Sequence, residues 1–542
     1  MKKNWLSITG ITLGLGIAAA MIFANQLGVD NNAVWGTKRY ALFLLGIFIL
    51  TASLLYREDN FLGQLIHTKT GQLYLASIIT LGLVILAYVW WVSLGLWTVW
   101  PKTTNYYDLM ASAFRHGQLE LEVKPDPALL ALEDPYEPTN REGIPVLWDA
   151  TLYEGKYYLY WGPVPALLLS IIKFFYVNEI GDNILTFFFI AGTFIFLTLI
   201  ILALWKNYFQ ELPRRIILLS IALVGLINPL PFVLIDPRIY EAAVAAGQFF
   251  FIGGLYFLFN TFNKPSITSL TLTGLFFTFA IGSRTILLIP IAFTSLIVLI
   301  WAFQSRRAQT VAFVIALAFP LAFGGISYAW YNYARFGSIT DFGYQYQLTG
   351  FNIHETIGQT FSPAYVAPNL YKTLLNPYEI KDAFPLIKST LWSPPNGFNE
   401  SERSIYYYFA ESITGILIGT PFLILAILRK KKTLFWISSS LTGSSLLIFL
   451  TTQLFFYTTM RYLLDLIPAL ALLSLIGLWS GFDLLKTKPA AKFSFTILGF
   501  SLWAYTIAVS VLLTFSSNLP RFKTYNPELI QQLIQTFNNF LK

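Results

Sequence analysis

Carboxylates, Lys156 and many aromatic side chains lie near one another in sequence within the stretch between about residues 100 and 182. Asp108 follows a pair of tyrosines, and Asp149 stands beside Trp148, a few residues before Lys156. Such a mixture suits a sugar, whose hydroxyl groups bond to carboxylates and whose apolar ring face packs on tyrosine or tryptophan. The alternative is an aromatic belt at a membrane surface with solvated acids. The candidate substrate-binding aromatics are Tyr107, Tyr136, Tyr160 and Trp161.

Two arginines, Arg284 and Arg461, lie beside apolar segments. Charge near a membrane is costly and usually has a partner or a ligand, and the planar guanidinium suits phosphate oxygens. Arg284, Arg461 and Lys156 are therefore candidates for binding a phosphate. Snorkelling or an ion pair, for example between Arg461 and Asp465, is the alternative.

Asp236 and Glu241 stand at the end of another apolar segment and are candidates for contacting substrate, although they could equally pair with neighbouring charges. The spacing of the three histidines supports no metal site. The absence of cysteine excludes disulfides, thiolate metal sites and cysteine nucleophiles. No cofactor is predicted, and a requirement for a divalent metal is left open.

The composition excludes a soluble globular protein. Of 542 residues, 56% are hydrophobic and only 12% are charged, whereas soluble domains carry about 25% charged residues. The mean hydropathy is +0.60. The formal net charge is +8, but the basic residues fall mostly between apolar segments, which indicates orientation in a membrane rather than binding to nucleic acid.

The apolar segments predict an all-α polytopic membrane protein with about 13 transmembrane helices and two large extracytoplasmic loops containing juxtamembrane helices. Lys2 and Lys3 place an uncleaved first helix with its N-terminus in the cytoplasm, and most loop charges agree, Lys38 and Arg39 excepted. Segment 162–177 is too short to span and is predicted to lie in the outer leaflet. The predicted spans are 5–25, 39–56, 73–99, 183–205, 216–235, 240–261, 267–282, 285–303, 309–330, 410–428, 433–452, 463–480 and 493–516.

These spans divide the chain into six parts. We expect the second large loop to cover the first and to supply an aromatic side chain to the acceptor path, because a reactive sugar must be shielded from water. The candidates are Tyr344, Tyr346, Tyr365 and Trp392. The six parts are the N-terminal helices 1–99, the first loop 100–182, the central helices 183–330, the second loop 331–409, the C-terminal helices 410–516 and an extracytoplasmic tail 517–542.

Four segments resemble a known family in their order and spacing. They are YWGPVP at 160–165, DPRIYEAA at 236–243, IGSR at 281–284 and RYLLDLIP at 461–468. Across about residues 70 to 480 the chain resembles the GT-C glycosyltransferases, in particular the branch with the protein O-mannosyltransferases and the lipid A sugar transferases.

The resemblance implies an enzyme of the inner (plasma) membrane that moves a sugar from a polyprenyl-phosphate donor to a lipid, glycan or protein acceptor at the extracytoplasmic face. It also implies that an acid of the first loop is the base. Family members place this acid just before the first loop helix, where this chain has Thr103-Thr104-Asn105. Asp108 and Asp149 are the nearest substitutes. We favour Asp149, because a position early in a helix explains Asp108 without catalysis.

A many-helix bundle with outer loops does not by itself encode catalysis. A transporter or flippase of a polyprenyl-linked lipid or polysaccharide is the main alternative, and it would depend on ion gradients. A non-catalytic, lipid-binding scaffold that retains the fold is the other.

Overall fold

The computed structural model describes residues 2–24, 35–55, 66–391, 411–428 and 431–541, together with positions 27, 29 and 64. Contacts divide the chain into two compact units, Met1–Leu83 and Val84–Lys542. The helices are α1 Lys2–Ile22, α2 Thr37–Leu55, α3 Lys69–Val92, α4 Tyr106–Arg115, α5 Pro127–Leu130, α6 Val164–Ile172, α7 Asp182–Tyr208, α8 Arg214–Leu226, α9 Ile239–Asn263, α10 Ile267–Ile281, α11 Leu288–Ser305, α12 Thr310–Phe336, α13 Ile353–Thr356, α14 Val366–Leu374, α15 Ile416–Gly419, α16 Phe435–Gln453, α17 Ile467–Leu484, α18 Pro489–Tyr525 and α19 Pro527–Leu541.

In the first unit, α1 packs on α2. Gly14 and Gly46 lie at this contact, where an added side chain would meet the backbone of the other helix, so glycine permits the close approach. Arg39 is buried and donates to the carbonyl oxygens of Met21 and Ile22, at 2.7 and 3.1 Å. This arginine, an exception to the loop-charge pattern, therefore bonds the C-terminal end of α1.

Among the described residues, nine helices are long and apolar enough to cross a membrane, by length and composition. Each overlaps a predicted span, whereas Ile8–Ile22 and Ile267–Ile281 are shorter apolar helices. The nine are Thr37–Leu54, Lys69–Val92, Asp182–Tyr208, Ile239–Asn263, Thr285–Ser305, Arg307–Phe336, Lys432–Gln453, Ile467–Leu484 and Pro489–Tyr525. A multi-pass membrane protein is confirmed in outline, and the count of thirteen is not.

Two predicted spans are not continuous helices. The span 216–235 was wrong because α8 ends at Leu226 and two prolines follow, at 229 and 231. The span 410–428 was wrong in the described residues from 411, where the short α15 is followed by a 3₁₀ helix, Pro421–Ile427. Proline lacks the backbone donor that a regular helix needs in its interior, so hydropathy overstates helix length at these places.

The parts of the chain outside the predicted spans contain helices of their own. Within 162–177 the helix is α6, with nine residues, or about 14 Å at the rise of an α-helix. That is far less than a hydrocarbon core of about 30 Å. The last long helix, α18, continues past the predicted end of its span at 516 to Tyr525, and α19 follows.

The first loop carries a hairpin of β1 (Thr151–Tyr153) and β2 (Lys156–Tyr158), and the second carries β3 (Tyr378–Ile380) and β4 (Ile387–Ser389). The loops join at an antiparallel bridge between Thr151 and Gln347. Within the bundle, α9 packs against α7 and α10. The second loop therefore lies directly on the first, as the sequence predicts.

Candidate functional site

Three helices begin close to one another beneath the first loop: α4, α7 and α9. The carboxylate of Asp182 accepts from the backbone N–H groups of Tyr106 and Tyr107, at 3.1 and 3.3 Å. The hydroxyl of Thr104 donates to the same carboxylate at 2.5 Å and accepts from the backbone N–H of Ile239 at 2.9 Å. A carboxylate at a helix N-terminus is favoured by the unpaired N–H groups there. Asp182 and Thr104 thus fix the three helix starts against one another.

Asp182 is the buried acid nearest to Thr103-Thr104-Asn105, the stretch that lacks the expected carboxylate. Its side chain is fully enclosed, and both oxygens accept hydrogen bonds from the first loop helix or from Thr104. Such an acid positions helices. Sequence reasoning missed Asp182, because the start of an apolar span lies far from the first loop helix along the chain.

Asp149 lies in a tight turn immediately before β1. Its backbone has φ +59°, a left-handed conformation that Asp and Asn adopt more readily than most residues. Its N–H donates to the carbonyl of Leu348 at 2.9 Å, and its carbonyl accepts from the side-chain amide of Gln347 at 3.0 Å. The second loop therefore holds the backbone of Asp149 on both sides.

The side chain of Asp149 accepts a hydrogen bond from the hydroxyl of Tyr240. Burial raises the pKa of Asp149 to about 6, while Arg461, Arg238 and the hydrogen bond from Thr349 act in the opposite direction. The result is a carboxylate that is charged at neutral pH but basic enough to accept a proton, as a general base requires. The neighbouring cations are these arginines and Arg141 rather than Lys156 or Arg284.

Tyr240 is the second residue of α9, and its side chain contacts both Asp149 and two cations. The guanidinium carbon of Arg238 lies 5.2 Å from the centre of the Tyr240 ring, and that of Arg461 lies 5.0 Å from it. The ring centre of Trp161 lies 5.6 Å from that of Tyr240. One side chain thus brings a carboxylate, two arginines and an aromatic surface together.

Arg461 is buried and has two acidic neighbours. It donates to both carboxylate oxygens of Glu411, at 2.6 and 2.8 Å, and Glu241 lies 3.9 Å away. Although burial opposes it, Arg461 together with the hydroxyl of Thr459 lowers the pKa of Glu411 to about 2. Glu241 also accepts from the backbone N–H of Arg238 at 3.0 Å. Glu241 therefore supports the two arginines and the start of α9 through its own contacts.

Arg284 faces a different acid. Its guanidinium donates to Asp465 at 2.8 and 3.1 Å, and its carbon lies 5.0 Å from the ring centre of Tyr462. The side chain of Asp465 is fully buried, whereas that of Arg284 is 21% exposed. The suggested pairing of Arg461 with Asp465 was wrong, because Asp465 forms its ion pair with Arg284 and Arg461 forms its own with Glu411.

Lys156 and Asp236 have partners of their own. Lys156 is half exposed and binds Glu120 at 2.7 Å, so it acts at the loop surface rather than with the buried arginines. Asp236 binds Arg238 at 3.3 Å and also pairs with Arg521 of α18. Asp236 therefore lies at the edge of the site: it binds Arg238, which in turn lies beside Tyr240.

The aromatic candidates fall into three groups. The rings of Tyr160 and Trp161 lie 4.3 Å apart between centres and are tilted by 38°. Next to Tyr240, they form an aromatic wall of the site. Tyr107 is fully enclosed, which places it in the packing beneath this wall. Tyr136 stacks on His354 at 5.2 Å, so it joins the two loops.

Two of the four second-loop candidates contact aromatic rings of the first loop. Tyr344 lies 5.4 Å from Tyr160, and Tyr346 lies 6.0 Å from Tyr136, between ring centres. Tyr365 packs against Phe456 instead. Trp392 lies outside the described residues. Tyr344 is thus the second-loop aromatic nearest to the aromatic wall.

Asp108, the second candidate base, forms a buried ion pair. Its carboxylate accepts from the ammonium of Lys173 at 2.6 Å and from the backbone N–H of Ile180 at 3.0 Å. The two side chains are 8% and 5% exposed, Asp108 and Lys173 respectively. This pair clamps α4 to the end of α6. Asp108 is therefore occupied by a structural partner.

Replacing Asp108 by Asn should destabilise the protein by about 3–5 kcal/mol, because the Lys173 ammonium would stay buried without its counter-ion. The double variant Asp108→Leu, Lys173→Met should recover most of the stability, since an apolar pair of similar volume needs no desolvated charge. Thermal unfolding in detergent measures both. A stable Asp108→Asn protein with a hundredfold lower activity would instead assign the base to Asp108.

In the described part of the chain, no three His, Cys, Asp or Glu side chains are arranged to hold a metal ion.

No protein-family profile and no curated protein matches the chain. Solved structures do. The apo oligosaccharyltransferase of Archaeoglobus fulgidus is 13% identical with a TM-score of 0.46, over 82% of this chain and 56% of that one. The same archaeon's enzyme with an inhibitory peptide and a dolichol-phosphate is 11% identical with a TM-score of 0.41, over 82% and 56%.

A third structure, the Archaeoglobus fulgidus enzyme tethered to an acceptor peptide with the NVT sequon, is 13% identical with a TM-score of 0.46, over 82% of this chain and 55% of that one. The chain thus spans a little over half the length of these proteins.

Proposed function

We propose that the protein is a membrane glycosyltransferase that moves a sugar from a polyprenyl-phosphate-linked donor to an acceptor at the extracytoplasmic face. The observation that carries the proposal is the arrangement around Tyr240. Its hydroxyl bonds to Asp149, while Arg238 and Arg461 lie 5.2 and 5.0 Å from its ring centre. A base and two phosphate-binding groups therefore share one site.

Asp149 takes the proton of the acceptor hydroxyl, and that oxygen forms a bond to the anomeric carbon of the donor sugar. The bond from this carbon to the phosphate oxygen breaks, and its electron pair leaves with the polyprenyl phosphate. Charge that builds up on the phosphate is stabilised by Arg238 and Arg461 in a partly water-excluded site. The proton stays on Asp149 until product leaves.

Attack from the face opposite the phosphate, without a covalent intermediate, inverts the anomeric centre. Tyr160 and Trp161 offer the apolar surface on which the sugar ring packs. Arg238 is the more accessible cation, with its side chain 38% exposed, whereas that of Arg461 is 9% exposed and bound to Glu411. Arg238 therefore meets the incoming phosphate first, and Arg461 supplies fixed charge behind it.

The test is release of polyprenyl phosphate by the purified protein in lipid nanodiscs, with a panel of polyprenyl-phosphate sugars and with water or added glycan, lipid and peptide acceptors. Turnover with at least one donor, and product of inverted anomeric configuration, are expected. No turnover with any donor, combined with ion-gradient-dependent movement of the same lipids in proteoliposomes, would establish the transporter instead.

The rate of transfer should rise with pH through about 6 and level off above it, because Asp149 acts only when ionised and its pKa is about 6. The contribution of Asp149 to the free energy of unfolding should instead fall as pH rises. The folded state holds the Asp149 proton more tightly than the unfolded chain, whose pKa is 3.8. This stabilisation is complete below the unfolded pKa and is lost as pH rises through the folded value.

Rates and unfolding midpoints between pH 4.5 and 8 measure both trends, and Asp149→Asn is the control that should remove the Asp149 contribution to each. Tyr240→Phe should shift the acidic limb of the rate profile to higher pH, because the hydroxyl donates to the ionised form. A profile of Tyr240→Phe identical to wild type would show that this hydrogen bond does not act on the base.

A further inference from the structure

A cavity of about 500 Å³ lies between α8, α17 and α18. Its walls are mainly apolar, and its size falls in the range of small-molecule pockets, roughly 300–1,000 Å³. Ser220 and Gly499 line it as small residues, which leave the space that larger side chains would fill. The larger lining side chains include Leu219, Phe422, Leu475, Leu478, Phe482 and Trp503.

The mouth of the cavity is charged. Arg215, Lys486 and Lys492 line it together with Glu211 and Asp483. Each acid has its own lysine: Glu211 binds Lys486 at 2.5 Å, and Asp483 pairs with Lys431. Among the described residues, neither Arg215 nor Lys492 has a carboxylate within ion-pair distance. These two exposed cations therefore give the mouth a net positive charge.

This mouth is at the opposite end of the bundle from Asp149. Helix α7 begins at Asp182, beneath the first loop, and ends at Tyr208, whose carbonyl accepts from Lys431 at 2.8 Å. Its 27 residues span about 40 Å. The cavity is therefore separate from the proposed sugar-transfer site.

The same end is strongly basic in sequence. Residues 206–215, 431–432 and 483–492 contain eight Lys or Arg and two Asp or Glu. Loops with this excess face the cytoplasm, where anionic lipid headgroups give the membrane surface a negative potential.

We propose that the cavity binds an anionic phospholipid of the cytoplasmic leaflet. An acyl chain fills the apolar walls, and the lipid phosphate lies at Arg215 and Lys492. Both parts of the ligand then have a counterpart: apolar surface for the chain and two cations for the phosphate. The proposal does not depend on sugar transfer.

The test is lipid titration of the delipidated full-length protein in neutral detergent, followed by native mass spectrometry. Phosphatidylglycerol should bind at least about tenfold tighter than phosphatidylcholine. The double variant Arg215→Gln, Lys492→Gln should weaken phosphatidylglycerol binding about 10- to 30-fold, since each cation near a lipid surface contributes about 1 kcal/mol. It should leave phosphatidylcholine binding unchanged.

A second variant tests the chain-binding walls without touching charge. Thr496 lines the cavity, and its hydroxyl bonds only to the carbonyl of Lys492 in its own helix, at 2.7 Å. Thr496→Phe should fill the space and weaken both lipids alike. The matched control, Lys488→Gln, removes a cation from the same end that does not line the cavity, and it should change phosphatidylglycerol affinity less than twofold.

Three results would overturn the proposal. Equal binding of the two phospholipids would remove the role of the phosphate. Equal weakening by Lys488→Gln would show diffuse attraction to the basic surface rather than a site. Tighter binding of a polyprenyl phosphate, abolished by the Arg215 and Lys492 changes, would assign the cavity to that lipid instead.

Discussion

Replacing Asp149 by Asn is expected to lower the rate of sugar transfer by about two to four orders of magnitude, the usual cost of losing a general base. Asn keeps the shape of the side chain and can still accept the hydrogen bond from Tyr240. It cannot take a proton from the acceptor. The loss should therefore appear in the rate at saturating donor, while donor binding changes little.

The fold should tolerate this change. The backbone contacts of Asp149 with Leu348 and Gln347 do not involve its carboxylate, and Asn adopts the left-handed conformation at φ +59° as readily as Asp. Glu120→Gln is the matched control, because it removes an acid of the same loop that binds the half-exposed Lys156 at the loop surface. Activity of Asp149→Asn within a few-fold of wild type would eliminate the proposed base.

Replacing Arg461 by Gln is expected to lower the rate by about 10²–10³, comparable to the loss of one fixed group that stabilises transition-state charge. Arg461 lies beside Tyr240 and is held by Glu411 and Glu241. Its charge is therefore already oriented before the phosphate develops its own. Rate and donor KM should be measured together, because a purely ground-state role would raise KM alone.

Arg461→Gln also leaves Glu411 and Glu241 without their cation, so lost stability must be separated from lost chemistry. The double variant Arg461→Gln, Glu411→Gln removes the unpaired Glu411 charge and should recover stability but not activity. Lys156→Gln, which removes a surface cation of the first loop, should keep its rate within twofold. Recovery of activity in the double variant would show that Arg461 acts only by neutralising Glu411.

The long helices were predictable because a hydrocarbon core requires about 20 apolar residues in succession. Such a run can be recognised directly in the sequence. Nine described helices satisfy this requirement. The predictions failed at 216–235 and 410–428, where the segment is apolar but prolines interrupt the backbone hydrogen bonds. Hydropathy measures where a segment is buried and says little about whether its backbone stays helical.

The site was predictable one residue at a time, and its pairings were not. Asp149 stood out because aromatic residues surround it in sequence, and Arg461 because it lies beside an apolar segment. Glu411 and Tyr240 were missed, since an acid and a tyrosine at helix ends are common in a membrane protein. The segment DPRIYEAA, which carries Arg238 and Tyr240 together, was a signal for Tyr240 but not for Glu411.

Asp149 is held by Gln347, which follows it by 198 residues in the chain, and its cation Arg461 comes later still. During synthesis, the first loop is therefore made long before the groups that orient and charge its carboxylate. A nascent or truncated chain that ends before the second loop carries Asp149 without the groups that complete the proposed site. Under the proposed sugar transfer, activity therefore arises only after Arg461 has been made, so a chain that stops earlier would not consume activated lipid-linked sugar.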